Sequence, residues 1–305
     1  MAHDHSGGKA IIAALAANVG IAVTKAVAWL LTGSSSMLAE SVHSLADSGN
    51  QAILLLGGRR AKRQADEQHQ FGYGRSRYLA AFIVSIVLFT LGGLFALYEA
   101  WEKFSHPHAI DSWLWVPVAV LVVSIGLESF SLRTALHEAH AARGRRSLLG
   151  YIRDSRSPEV PLVLLEDIGA LVGLVLALGG VSMTLLTGDG RWDAIGSASI
   201  GLLLVVIALF LALEMSSLLL GESAAPEHRD AILAAIPGGA LDSVVYLRTI
   251  HTGPETLLVA AKVAVPTEAT GMEIAESIDA AEARVREALP GLSATIFLEP
   301  DIRRA

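Results

Sequence analysis

The sequence predicts an α-helical membrane protein, with six transmembrane helices followed by a small cytoplasmic C-terminal domain of the α+β class. Three observations carry this expectation. The 305 residues are 52% hydrophobic and only 17% charged, and the mean hydropathy is +0.51, values outside the range of ordinary soluble domains. The long apolar runs are confined to the chain before about Gly221. After that point charged and apolar residues alternate as in a water-soluble fold, over roughly 80 residues, the size of a small domain. The expected division is an N-terminal arm over 1–9, a membrane domain over 10–220 and a C-terminal domain over 221–305.

A hydrocarbon core about 30 Å thick takes about 20 residues of apolar helix. Six segments satisfy this: Ala10–Thr32, Ser36–Gly58, Tyr78–Trp101, Trp113–Leu136, Val160–Leu186 and Asp193–Leu220. The first follows a short polar head with no small-residue cleavage site, so it reads as a span rather than a cleaved signal peptide. Basic residues fix the orientation. Arg59, Arg60, Lys62, Arg63, Arg75 and Arg77 follow the second span, and Arg143, Arg145, Arg146, Arg153 and Arg156 follow the fourth. The opposite connections carry only Lys103 and Arg191. Both termini are therefore expected in the cytoplasm, with the plasma membrane as the location if the cell is bacterial. Trp101, Trp113, Trp115 and Trp192 fall near span ends on the other side, where interfacial aromatics gather.

In the tail, Pro226–Ala235 reads as a helix with proline in its first turn. DSVVYLRTI and TLLVAAKVAV read as two strands joined around His251–Glu255. Thr267–Leu289 is an amphipathic helix and SATIFLEP a last strand. The order αββαβ fits a ferredoxin-like or metallochaperone-like layer.

Several function classes are excluded. With no cysteine there is no disulfide, thiolate site or cysteine nucleophile, so any transition metal must be held by nitrogen and oxygen. A net charge of −7 without a basic, aromatic-rich patch argues against nucleic acid. His137 and His140 in HEAH are spaced by three, not the four that places two histidines on one zinc-facing helix surface, so an intramembrane protease is unsupported. His3 and His5 sit in a polar terminal arm, where metal capture and plain solvation are both open.

The chemistry concentrates in the two polar spans. In SMLAESVHSLADSGNQ, Glu40, His43, Asp47 and Asn50 recur at three- and four-residue spacing and so share one helix face. In the fifth span, Glu166 and Asp167 interrupt an apolar run. One polar group in a span is ordinarily helix glue. An imidazole, several carboxylates and amides over two spans exceed what glue requires, because ionised groups inside a bilayer are expensive and mark function. His43 and Asp47 meeting Asp167, with Glu166 or Glu40 nearby, would form a nitrogen-plus-oxygen shell suited to a divalent ion such as Zn2+. Adjacent residues diverge by about 100° on a helix, so Glu166 and Asp167 need not face the same ion, and Asp167 is the preferred ligand. Lys25 in the first span reads as the partner of a carboxylate or as a snorkelling side chain. Glu128 in the fourth reads as a candidate proton carrier.

At these residues the chain resembles the cation diffusion facilitators, transporters of zinc and related divalent metals. The resemblance rests on GSSSMLAESVHSLADSGNQ, ADEQHQFGYGRSRY, LLLGESA and YLRTIHTGP, and covers nearly the whole length. HSLADSGNQAILLLG and LLEDIGALVG look most like the branch containing the mitochondrial zinc transporter of animals. The resemblance implies a secondary transporter, not an enzyme: six spans, a cytoplasmic αββαβ domain, a homodimer, and exchange of metal for protons by alternating access. It places His43 and Asp47 at the second-span (D/H)xxxD pair. The fifth-span partner is usually (H/D)xxxD, but here Val163 precedes Asp167, so one expected ligand is missing. Glu166, Glu40, Asn50 or water would complete the shell. A second family site, DxxHxxxH, is matched by Asp66 and His69, with Tyr73 in place of its last histidine. Tail histidines that bind metal in some members are replaced, with Tyr246 opening YLRT. Two other readings remain open: transport of Fe2+, Mn2+, Co2+ or Cd2+, since one imidazole among carboxylates is less zinc-selective than two, and a non-transporting membrane sensor or scaffold whose tail is the working part.

Overall fold

The computed structural model describes residues 19–106, 113, 115–143, 147, 150, 152 and 155–302, apart from the side chains of 138 and 141–143. The expected arm over 1–9, with His3 and His5, lies outside the described residues, as does the start of the first span. The described residues divide into two units, one drawn from 19–56, 80–153 and 159–214 and the other from 57–79, 154–158 and 215–302.

The first unit is built from long helices: α1 (Val19–Thr32), α2 (Ser35–Ala61), α3 (Ser76–Ser105), α4 (Trp115–Arg143), α5 (Glu159–Thr187) and α6 (Arg191–Leu220). Among the described residues, α3 to α6 are long and apolar enough to cross a membrane. The described part of α1 is shorter, and α2 is long but interrupted by its polar row. Trp101, Phe130, Leu186 and Leu213 are each more than 70% exposed, apolar surface of the kind that lipid or another protein covers.

The α1–α2 connection is a tight helical hairpin. Gly33 adopts φ +65°, a left-handed conformation that glycine accepts without strain, and its N–H donates to Trp29 at 2.7 Å. Two helices joined so closely must run antiparallel side by side. Close approach elsewhere depends on absent side chains. A Cβ on Gly93 of α3 would lie 2.6 Å from Val205 of α6, and one on Gly180 of α5 would lie 2.8 Å from the Trp192 carbonyl of α6. Small residues at such crossings let backbones pack where lipid offers no hydrophobic drive for helix association. Within α3, residues Leu88–Leu94 form a π-helical turn, and the Cβ position of Gly92 in that turn lies 3.8 Å from His43 Nδ1.

One carboxylate closes the N-terminal end of α2. Asp193, fully buried in the first turn of α6, accepts from Ser34 Oγ at 3.0 Å, Ser35 N at 2.8 Å, Ser35 Oγ at 3.2 Å and Ser36 N at 3.4 Å. Free N–H groups of a first helical turn attract negative charge, and here the cap comes from a different helix. Lys103 adds a bond to the Gly33 carbonyl at 2.9 Å. Asp193→Ala strands several buried donors and is expected to lower stability by about 3 kcal/mol or more, measurable as a fall in the thermal midpoint in detergent. An unchanged midpoint would show that the cap is dispensable.

The second unit carries α7 (Pro226–Ala235), β1 (Ser243–Gly253), β2 (Thr256–Val265), α8 (Gly271–Ala288) and β3 (Ser293–Ile302), in the expected αββαβ order. Proline opens α7, where its missing N–H costs nothing. A Thr270–Glu273 capping box opens α8. The sheet order is β1-β2-β3, with β1 antiparallel and β3 parallel to β2. The parallel pair requires a crossover, which α8 supplies. Ile232, Ile236, Val259, Val263, Ala281 and Val285 form its core. The connection after α2 belongs to this unit: a Cβ on Gly74 would lie 2.8 Å from the Thr252 carbonyl, and Arg77 pairs with Glu255 at 3.3 Å. Arg156 pairs with Glu222 in the same unit.

Candidate functional site

The helical spacing of α2 turns Glu40, His43, Asp47 and Asn50 to one buried side. Glu40 and Asn50 are fully buried, and His43 is 2% exposed. His43 Nε2 lies 3.6 Å from Asp47 Oδ2, close enough to attract but too far to hydrogen-bond. Among the described residues, both ring nitrogens of His43, Asp47 Oδ1, Asn50 Oδ1 and Glu40 Oε1 are buried without a hydrogen-bond partner. Such orphaned atoms cost about 1–3 kcal/mol each, so a row of five on one helix face is a feature that stability alone does not favour.

Helix α5 presents its two carboxylates in different directions, as the 100° step requires. Glu166 Oε1 accepts from Asn50 Nδ2 of α2 at 2.7 Å, with both groups buried. Asp167 Oδ2 accepts from Ser131 Oγ of α4 at 3.0 Å and is half-buried. Val163, one turn before Asp167, packs against the apolar Ala135–Ala139–Leu164 cluster. The helix face carrying Val163 and Asp167 thus meets α4, whereas Glu166 meets the polar row of α2. The charge of Glu128 on α4 lies within electrostatic reach of Lys25, His43, Asp47 and Asp167, so groups from α1, α2, α4 and α5 share one neighbourhood. Among the described residues, no three His, Asp or Glu side chains converge on a common point as a complete metal shell would.

Lys25 is the partner of a carboxylate, the first of its two expected roles. It is 1% exposed, and its Nζ donates to Glu40 Oε2 at 3.0 Å and to Ser44 Oγ at 2.8 Å. The hairpin explains the pairing, because Lys25 lies eight residues before Gly33 and Glu40 seven after it, at nearly the same depth. That symmetry was available in the sequence. The Asn50–Glu166 contact and the Asp193 cap were not, since each joins segments more than a hundred residues apart.

In the loop after α2, Tyr73 OH donates to Asp66 Oδ2 at 2.5 Å, and the Gln68 and His69 N–H groups donate to Asp66 Oδ1 at 3.1 and 2.8 Å. The Tyr73 bond, followed by the backbone bond, holds the Asp66 carboxyl below its ordinary range, and the same Tyr73 bond raises the phenol above its own. Arg63 stacks 4.7 Å from the Tyr73 ring centre. Asp66 is therefore committed to ordering its loop. In the tail, Tyr246 is exposed on β1, whereas His251 is 2% exposed and burial pushes its imidazole below the usual range. His137 and His140 lie exposed on α4.

A cation efflux transmembrane domain profile matches residues 11–220. The chain is similar to the mitochondrial proton-coupled zinc antiporter SLC30A9 of Xenopus laevis, at 34% identity over 246 residues, which is 80% of this chain and 43% of that protein. It is similar to the protein of the same description in Homo sapiens, at 33% over 223 residues, covering 72% and 39%. It is also similar to the cation-efflux pump FieF of Pectobacterium atrosepticum, at 28% over 297 residues, covering 95% and 92%. The chain thus spans less than half the length of the antiporters and nearly all of the pump.

Proposed function

The chain belongs to the cation efflux family, and on that premise we propose that it carries a divalent cation, Zn2+ first among them, out of the cytoplasm in exchange for protons by alternating access. The observation that carries this reading is the row on α2 of donors and acceptors that find no partner among the described residues: the His43 ring nitrogens, Asp47 Oδ1 and Asn50 Oδ1, buried on the side where α5 presents Glu166. Nitrogen and oxygen atoms left without protein partners suit an ion that arrives, binds and leaves. The zinc antiporters and the FieF pump among the relatives support the same choice. His43, Asp47 and Asp167 are the proposed ligands, with Glu166 held beside them by Asn50. A full shell then requires α5 and α2 to shift relative to one another during the transport cycle.

Proton coupling follows from the ligand chemistry. A metal binds neutral imidazole and ionised carboxylate, so it displaces protons from the same atoms, and imidazole exchanges its proton within the physiological pH range. An inward proton gradient would then drive metal outward. The architecture proposed with this activity has an arm over 1–9, six spans within 10–220, a metallochaperone-like domain over 221–305, cytoplasmic termini and a homodimeric assembly in the bilayer.

The test is zinc-driven proton movement in liposomes containing the purified protein and a trapped pH dye, with Fe2+, Mn2+, Co2+ and Cd2+ as competitors. Saturable exchange in which Zn2+ is preferred supports the reading. A stronger preference for another ion reassigns the cargo, as one imidazole among carboxylates allows. Metal binding without flux would replace the transporter by a sensor or scaffold.

A further inference from the structure

The Lys25–Glu40 pair lies next to the proposed cation site, and its geometry is not that of a finished structural salt bridge. Lys25 satisfies Glu40 Oε2 and Ser44 Oγ, yet among the described residues Glu40 Oε1 finds no partner in a fully buried position. That free oxygen points toward α5, where it lies 3.2 Å from the Cβ position of Gly173. Glycine keeps the space in front of it open. Glu40 also stands one helical turn before His43 on the same face of α2. The charge of Lys25 reaches Asp47 as well. A buried ion pair adds little net stability compared with apolar residues of similar volume, so helix adhesion does not account for an ammonium at this depth.

We propose that Lys25 is an internal cation that competes with the transported dication for Glu40 and so sets the affinity of the intramembrane site. This inference rests on the transport reading above. With the site empty, the Lys25 ammonium neutralises Glu40 and holds it back from the row. When a dication reaches His43 and Asp47, Glu40 is the carboxylate one turn away on their helix face, and each positive charge weakens the hold of the other on it. The consequence is a site that binds without trapping. A carrier needs this property, because an ion held by every available carboxylate leaves slowly.

The test is Zn2+ binding by isothermal titration of the full-length protein in detergent, alongside turnover in liposomes. Lys25→Met frees Glu40 for the ion and is expected to tighten Zn2+ binding about tenfold or more while lowering kcat. Lys25→Arg keeps the charge, so its affinity should stay within about threefold of the parent. The double variant Lys25→Met/Glu40→Gln removes both charges and should return the affinity toward the parent value. A residue that only held helices together would give a different pattern, with Lys25→Met weakening binding and the double variant failing to restore it.

Should Lys25→Met not fold, a second comparison decides. Glu40→Gln leaves the ammonium unpaired beside the site and should bind Zn2+ about tenfold more weakly than the double variant. Equal affinities in that comparison, or unchanged or weaker binding in folded Lys25→Met, overturn the inference. The transport reading fails separately, if the parent protein binds Zn2+ but shows no exchange in liposomes, and the placement of the site fails if His43→Ala retains parental Zn2+ affinity. Loss of binding in His43→Ala without tightening in Lys25→Met removes only the role of Lys25.

Discussion

Replacing His43 or Asp47 by alanine is expected to cut zinc-for-proton exchange at least about a hundredfold, since losing even an outer partner of a metal ligand costs about 10–100-fold. The two side chains approach each other at 3.6 Å on adjacent turns of α2. The same variants are expected to fold. Among the described residues neither ring nitrogen of His43 has a hydrogen-bond partner, nor does Asp47 Oδ1, so truncation strands few other groups and removes buried atoms that were themselves unsatisfied. The metal-free thermal midpoint should therefore stay close to the parent's, while the increase on adding Zn2+ should vanish, because a ligand stabilises only the state that binds it. Undiminished exchange in both variants would remove the α2 row from the transport mechanism. A collapse of the metal-free midpoint would assign His43 and Asp47 to folding.

The second large effect is expected on α5, where Asp167→Asn should reduce transport about tenfold or more and Glu166→Gln should reduce it less. The two neighbours differ in what already occupies them. Glu166 is buried and accepts from Asn50 at 2.7 Å. A glutamine there keeps the shape and can donate to the orphaned Asn50 Oδ1. Asp167 is only half-buried and accepts a bond from Ser131, so a partly hydrated ion can reach it, and asparagine removes its charge. Initial rates across a Zn2+ series rank the two variants. The opposite order would make Glu166, on the α2 side, the working carboxylate of this helix.

Much of the architecture could be read from residue patterns because each pattern has a local cause. Pro226 marks the start of α7, and the alternating apolar positions of TLLVAAKVAV mark β2, the central strand of the sheet. The spacing of Glu40, His43, Asp47 and Asn50 indicated one helix face, and that face is buried. Lys25, expected either to pair with a carboxylate or to snorkel, pairs with Glu40, which the symmetry of the hairpin about Gly33 places at its level. What escaped were contacts with no local signature. Asp193 looks like an ordinary first-turn acid, yet it caps α2 from another helix. The π turn at Leu88–Leu94 has no periodic signal that marks it in advance.

The sequence by itself determined that the chain enters a membrane, that a small sheet-bearing unit follows, and which polar residues of α2 share one helix face, because hydropathy and helical periodicity act over a few turns. Only the tertiary structure decided which way α5 faces. Rotating a helix about its axis leaves its composition unchanged, and which of Glu166 and Asp167 meets the polar row of α2 was decided by packing: Val163 against the apolar surface of α4, and Glu166 against Asn50.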